Sequence, residues 1–105
     1  MRVELLYIED DPGYMQARQN LVEVLTEDAF ETPIQMIAVA SEDDAELLGF
    51  RGSPTIRIDG SDIDPPSARS VALRQRDYGH GSNVPSKALI RNAVERARGW
   101  SHGRR

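Results

Sequence analysis

Three consecutive acids near the start of the chain have the clearest potential for chemistry. Glu9, Asp10 and Asp11 directly follow a strand-like apolar run and directly precede Pro12. Carboxylates at the carboxyl end of a strand could hold a hard cation, with His80 as a further ligand. Three adjacent acids are more often solvated turn residues, however, and an aspartate before a proline is typical of a helix N-cap. The sequence therefore predicts a helix start here and no metal site.

Composition narrows the classes of function. The chain has 105 residues, which corresponds to one domain, and it contains no cysteine. Disulfides, thiolate metal sites and thiol-based catalysis within this chain are thereby excluded. The net charge of −4 argues against general binding to nucleic acid or to an anionic membrane. Since the apolar runs are only a few residues long, we expect no membrane span. We also expect a cytoplasmic protein without a bound cofactor.

Charge is distributed unevenly along the chain. Residues 1–64 carry 15 acidic and 4 basic side chains, whereas residues 65–105 carry 2 acidic and 9 basic ones. We expect the two parts to neutralise each other within one fold, with Arg91, Arg96 and Arg98 on the outer face of a last helix. Recruitment of an acidic partner by the basic part is the alternative.

Hydrophobic periodicity and turn residues predict seven elements. In chain order these are a strand at 3–8, a helix from Pro12 to about Asp28, a strand at 34–40, a helix ending at Leu48, strands at 55–59 and 70–74, and a helix ending at Gly99. The first two strands lack a polar face and are joined by a helix, which implies a parallel βαβ unit. The last two strands alternate with period two, and we expect them to form an antiparallel pair around a turn at 60–68.

Residues at the helix ends support these boundaries. Ser41 and Ser86 stand where side-chain caps are expected, and Gly49 and Gly99 where helices stop, with Trp100 folding back on the last turn. The resulting fold class is α/β, in the order β-α-β-α-β-β-α, with a four-stranded mixed sheet and helices on both faces. We expect one domain over residues 1–100 and a flexible tail at 101–105.

This order, together with Gly52-Ser53-Pro54-Thr55 before the third strand, resembles the thioredoxin-like superfamily. More narrowly, the chain is similar to small bacterial thioredoxin-like proteins that carry a C-P-x motif after the first strand and a G-S-P-T motif later. The resemblance implies that Pro54 is cis and faces the turn after the first strand. Asp11-Pro12-Gly13-Tyr14 stands where C-P-x-x would be, and Gln75-Arg76-Asp77-Tyr78 where C-R-x-Y would be. Both cysteine positions are substituted, so the family's redox activity does not carry over.

The resemblance still implies a groove that could bind a ligand. In it, the backbone groups of Ser53, beside Pro54 and Thr55, would pair with an extended peptide, while Asp11 and Tyr14 would line the opposite wall. We therefore expect a redox-inactive binding or assembly module that uses this groove or an exposed sheet edge, with a peptide, a protein or a second copy of the chain as partner. The alternative is a thiol-independent enzyme or glutathione-type ligand binder that uses Asp11 and Tyr14.

A second resemblance concerns the receiver domains of response regulators. The run from Ile8 to Pro12 is similar to their acidic Mg²⁺ site, with Asp59 as the phosphoacceptor and Lys87 as the conserved cation. Only 46 residues follow Asp59, too few for the further βα units of that fold. The glycine-rich segment at 79–85 lacks the spacing of a phosphate-binding loop, and we interpret it as a flexible connection.

Overall fold

The chain folds around a small mixed sheet with three helices. The computed structural model describes residues 1–29, 31–64, 78 and 82–103. In chain order its elements are β1 (Val3–Tyr7), α1 (Tyr14–Glu27), β2 (Ile34–Ala38), α2 (Glu42–Leu48), β3 (Thr55–Ile58), β4 (Ser61–Asp62) and α3 (Lys87–Gly103).

The strand order of the sheet is β2-β1-β3-β4. β1 runs parallel to β2 and antiparallel to β3, so that Leu5 lies opposite Met36 on one side and opposite Ile56 on the other. β3 and β4 form an antiparallel hairpin. The predicted α/β class with a four-stranded mixed sheet is therefore confirmed, and β1 is one of its two central strands.

Helices cover both faces of the sheet, as the apolar pattern of the first strand predicted. α1 and α3 pack on one face, where β1 contributes Val3 and Leu5. α2 packs on the other face, where β1 contributes Leu6. The fully buried large side chains of this double core include Leu5, Leu6, Leu21, Phe50, Ile56 and Ile90. Because successive side chains of a strand point to opposite faces, β1 anchors both clusters at once.

The hairpin that carries the fourth strand is tighter than predicted. The chain reverses at Asp59 and Gly60, which have φ angles of 53° and 87°, and β4 begins at the next residue. An Asp-Gly pair suits such a two-residue turn because both positions require positive φ. The segment assigned to a long turn thus contains β4, which corrects the prediction. The strand expected at 70–74 lies outside the described residues.

The start of α1 differs from the prediction. Asp11 is not the N-cap and Pro12 is not the first helical residue, because Gly13 occupies the cap position and α1 begins at Tyr14. The Asp11 side chain instead accepts a hydrogen bond from the Gly13 amide at 2.8 Å, forming a turn two residues long just before the helix. Asp11 therefore organises the entry to α1 from outside the helix.

The other helix ends follow the predicted pattern except at α3. Ser41 accepts from the Asp44 amide and Ser86 from the Leu89 amide, both at 3.1 Å, which confirms both caps. Gly49 closes α2 in the left-handed conformation. α3, however, continues through Gly99 to Gly103, since an isolated glycine costs a helix only about 1 kcal/mol and no proline follows. In the part of the chain that is described, neither α3 nor another helix combines the length and apolar character that crossing a bilayer requires.

Ion pairs join the acidic N-terminal part to the basic C-terminal part. Lys87 at the start of α3 lies 3.2 Å from the Glu23 carboxylate and 3.0 Å from that of Glu27, both on α1. Arg91, one turn further along α3, also pairs with Glu27. The predicted neutralisation within one fold is confirmed at these pairs, although Arg91 faces α1 and is only partly exposed.

These pairs predict a pH dependence of stability. Hydrogen bonds from Gln19 and Lys87 lower the pKa of Glu23, and that from Lys87 lowers the pKa of Glu27, below the ordinary 4.5. The two carboxylates raise the pKa of Lys87 above 10.5. The stabilising contribution should therefore be complete between pH 4.5 and 10.5. It should be lost as pH falls through the lowered carboxylate pKa values or rises through the raised lysine pKa.

We expect the difference in urea-unfolding midpoint between the wild type and Lys87→Met to be constant across that window and to shrink on either side. High salt should reduce the difference within the window, because exposed pairs are screened. A difference that persisted unchanged at pH 3 would show that the pairs are not its source.

Candidate functional site

The carboxyl end of β1 meets the loop before β3 and a residue that precedes α3. After Tyr7 the chain turns, with the Asp11 amide donating to the Ile8 carbonyl at 3.0 Å. The loop before β3 presents Ser53 to this turn, and the Ser53–Pro54 bond is cis, as expected. These segments bring four of the five predicted site residues into one region, with Asp11 at its centre.

The Asp11 carboxylate is buried and accepts three hydrogen bonds. Asp11 as a whole residue is only 3% exposed to solvent. One oxygen accepts from the Gly13 amide at 2.8 Å and from Asn83 Nδ2 at 2.6 Å, and the other accepts from the Ser53 hydroxyl at 2.6 Å. We call Asp11, Gly13, Ser53 and Asn83 the Asp11 cluster. Three donors from three segments compensate the cost of burying this polar group.

Ser53 links the cluster to the sheet. Its hydroxyl donates to Asp11 and accepts from the Ile8 amide at 3.0 Å, so it connects both ends of the turn that follows β1. Ser53 is fully buried, and its carbonyl faces Asn83 Nδ2 at 3.4 Å, which is a long contact. Ser53 is therefore a buried side chain that bridges the Ile8 amide and the Asp11 carboxylate.

Pro54 and Thr55 are covered by the chain itself. Pro54 is among the fully buried residues, and its carbonyl accepts from the Tyr78 hydroxyl at 2.6 Å. Thr55 is 1% exposed, and its hydroxyl donates to the Gly52 carbonyl at 2.6 Å. Tyr78 falls at the end of the segment aligned with C-R-x-Y, whose other three residues lie outside the described part. The side chains of residues 78 and 83 therefore lie against the backbone carbonyls of Pro54 and Ser53.

Tyr14 directly follows Gly13 and is the first residue of α1. Its ring stacks on that of Tyr7, with centroids 4.2 Å apart and an interplanar angle of 21°. Both rings are partly exposed, and Tyr7 packs against the core beneath α1 and α3. The stacked rings thus connect the first turn of α1 to the end of β1.

Asn83 is the site residue that sequence reasoning missed. It lies in the segment interpreted as a flexible connection, yet its side chain reaches both Asp11 and Ser53. The only sequence signal was indirect. Gly13 has φ −91°, which needs no glycine, but a Cβ there would lie 2.5 Å from Asn83 Oδ1. The glycine therefore marks a close approach whose partner the sequence does not identify.

The receiver-like constellation is not assembled. Asp59 lies beside Arg2, whose amide donates to its carboxylate at 2.7 Å, whereas the acids before Pro12 follow the other end of β1. A five-residue strand separates these ends by about 16 Å. Lys87 is engaged by the acids of α1. Among the described residues, no three histidine or acidic side chains converge as metal ligands would, and His80 lies outside them.

The hydrogen bonds of the cluster predict coupled losses of stability. Asp11→Ala should cost about 2–3 kcal/mol, because it leaves the Ser53 hydroxyl and the Asn83 amide without an acceptor. Ser53→Ala should cost about 1–2 kcal/mol, and the double variant should lose about 1 kcal/mol less than the sum, since both changes remove one shared bond. Urea unfolding measures all three.

The matched control for the Asp11 and Ser53 variants is Asp10→Ala. Asp10 is the exposed neighbour of Asp11, so its truncation should change the free energy of unfolding by no more than about 0.5 kcal/mol. Strict additivity of the Asp11 and Ser53 effects would contradict the shared hydrogen bond.

The approach of Gly13 to Asn83 predicts a second non-additive pair. Gly13→Ala should cost about 1 kcal/mol, because the added Cβ forces Asn83 away from Asp11. In an Asn83→Ala background the same change should lie within about 0.5 kcal/mol of zero, since the backbone angles at Gly13 suit alanine. An equal cost in both backgrounds, measured by urea unfolding, would place the strain elsewhere.

Comparison with protein-family models found none that matches the chain, and comparisons with curated proteins and with solved structures likewise found no match.

Proposed function

We propose that this chain is a redox-inactive thioredoxin-like protein that acts without catalysis, as a binding or assembly module. Its element order, the sheet order β2-β1-β3-β4 and the helices on both faces support the thioredoxin-like assignment. The loop that carries Ser53 and Pro54 directly before β3 contacts the turn after β1 through the Ser53 hydroxyl, which supports the assignment further.

The state of Asp11 carries the non-catalytic part of the proposal. At the position aligned with the first cysteine of the motif, a carboxylate accepts hydrogen bonds from Gly13, Ser53 and Asn83. A catalytic base must offer a free lone pair to a substrate proton within hydrogen-bond reach. Here three of the roughly four acceptor positions of the carboxylate are taken by the protein. Because the residue is also only 3% exposed, a substrate would have to displace the surrounding loops to reach the remaining position. The position aligned with the reactive sulfur therefore serves as a junction between loops.

The same geometry leads us to propose a binding surface away from Pro54. Ser53, Pro54 and Thr55 are all buried, and Tyr78 and Asn83 lie against the carbonyls that an added strand would need. A partner strand could pair there only after displacing both side chains. The exposed edge of the sheet needs no such displacement, so it is the surface we assign to binding.

A ligand titration tests this function against the glutathione-type alternative. The probe is S-methylglutathione, which resembles the tripeptide without requiring a thiol in the protein, and the readout is the set of backbone amide shifts in NMR spectra. We expect no saturable shift at Gly13, Ser53 or Asn83 up to millimolar concentration, because Ser53, Pro54 and Thr55 are buried.

Two variants make the opposite outcome unambiguous. Saturable shifts at those amides that disappear in Asp11→Asn and remain in the exposed neighbour Asp10→Asn would replace our proposal with a ligand site built on Asp11. Shifts that were equal in both variants would indicate weak general binding and leave the closed cluster as described.

A further inference from the structure

We propose that the β2 edge is a self-association surface at which two copies of the chain pair their β2 strands antiparallel, giving one continuous eight-stranded sheet. The inference rests on the assembly role proposed above and identifies the partner as a second copy.

The outer side of β2 has no strand beside it in the described part of the chain. β2 is the first strand in the order β2-β1-β3-β4, and its only strand partner there is β1. Backbone N–H and C=O groups on the outer side of an edge strand are a template for pairing with another strand. A dimer would satisfy these groups without any rearrangement of the Asp11 cluster.

β2 lacks the features by which sheet edges avoid association. Its sequence, Ile-Gln-Met-Ile-Ala, contains no charge, proline or glycine over five residues. Proteins commonly protect such an edge with lysine, proline, a bulge or a very short strand. The last strand of this sheet, β4, has two residues, one of which is Asp62. We therefore expect association at the β2 edge and not at the β4 edge.

The strand is complementary to itself about Met36. In an antiparallel pair centred there, Met36 faces its own copy, Ile34 faces Ala38 and Gln35 faces Ile37, so no charges oppose each other. Ile34 and Met36 already pack against the core under α1 and α3, and both are partly exposed. Pairing would continue this apolar layer across the two-fold axis, as an isologous interface requires.

The effect of salt distinguishes a second copy from a basic partner. The five residues of β2 offer no charge that a basic segment could recognise, while acids flank the strand at Glu31 and Glu42. Two copies with a net charge of −4 each repel, so salt should strengthen their association. Binding of a basic partner would instead weaken as salt is added.

Sedimentation equilibrium of the full chain tests the proposal. We expect a reversible monomer–dimer equilibrium whose Kd falls as salt rises. Met36→Lys places two ammonium groups opposite each other at the axis and should raise the Kd at least about tenfold. The control is Leu47→Lys on α2, which changes a large apolar residue that is 84% exposed and should leave the Kd unchanged. Dissociation by Leu47→Lys, or a monomer at every concentration and salt, would overturn the proposal.

A second measurement uses only the wild type, since Met36→Lys also affects a side chain in contact with the core. The amides of Ile34, Met36 and Ala38 point to the outer side of β2, because those of the alternate residues face β1. Their hydrogen exchange should slow as protein concentration rises, while that of the β3 amides stays constant. Exchange in β2 that did not depend on concentration would overturn the β2 interface.

The two proposals fail separately. If the chain is monomeric and shows no shifts with S-methylglutathione, only the dimer proposal is overturned. Saturable shifts at the Asp11 cluster would overturn the non-catalytic function whatever the oligomeric state.

Discussion

The buried carboxylate of Asp11 is the constraint on which the local structure depends. Moving an ionised group from water to a protein interior costs several kcal/mol unless hydrogen bonds replace the lost solvent. Gly13, Ser53 and Asn83 supply those bonds from the entry of α1, the loop before β3 and the segment before α3. Each of these segments must therefore be in place for the others to be stable. The geometry of the site follows from this mutual requirement.

The sheet makes that arrangement possible. β1 lies between β2 and β3, with Leu5 opposite both Met36 and Ile56, so the position of its carboxyl end is set by pairing on both sides. The Ser53 hydroxyl then joins the turn after β1 at two points, the Ile8 amide and the Asp11 carboxylate. A thiol at position 11 would be a weak acceptor and could not hold three donors. Oxygen at this position thus supports a permanent junction where sulfur supports reversible chemistry.

Much of the fold could be predicted from local signals, and the exceptions have physical causes. The apolar runs of β1 and β2 and the caps at Ser41 and Ser86 depend on neighbouring residues, so sequence reasoning located them. The hairpin was missed because the alternation at 70–74 was given more weight than the Asp59-Gly60 pair, which alone specifies the turn.

The site was less predictable than the fold. Asp11, Ser53 and Pro54 were identified through a resemblance that places a turn against a proline, and the structure brings them together. The role of Asn83 depends on where its segment packs, 72 residues along the chain from Asp11, and no local pattern reports such a contact. The stacking of the Tyr14 ring on Tyr7 is likewise a contact that no local sequence pattern predicts.

A site closed by its own side chains changes which surface of the fold can bind. Extended ligands recognise a protein through unpaired backbone groups, and beside Pro54 the carbonyls face Tyr78 and Asn83. The outer side of β2 is the longest remaining strand edge in the described part of the chain, and it carries no charge. The hydrogen bonds beside Pro54 and the availability of the β2 edge are therefore connected, since carbonyls that are already bonded leave strand pairing to the periphery of the sheet.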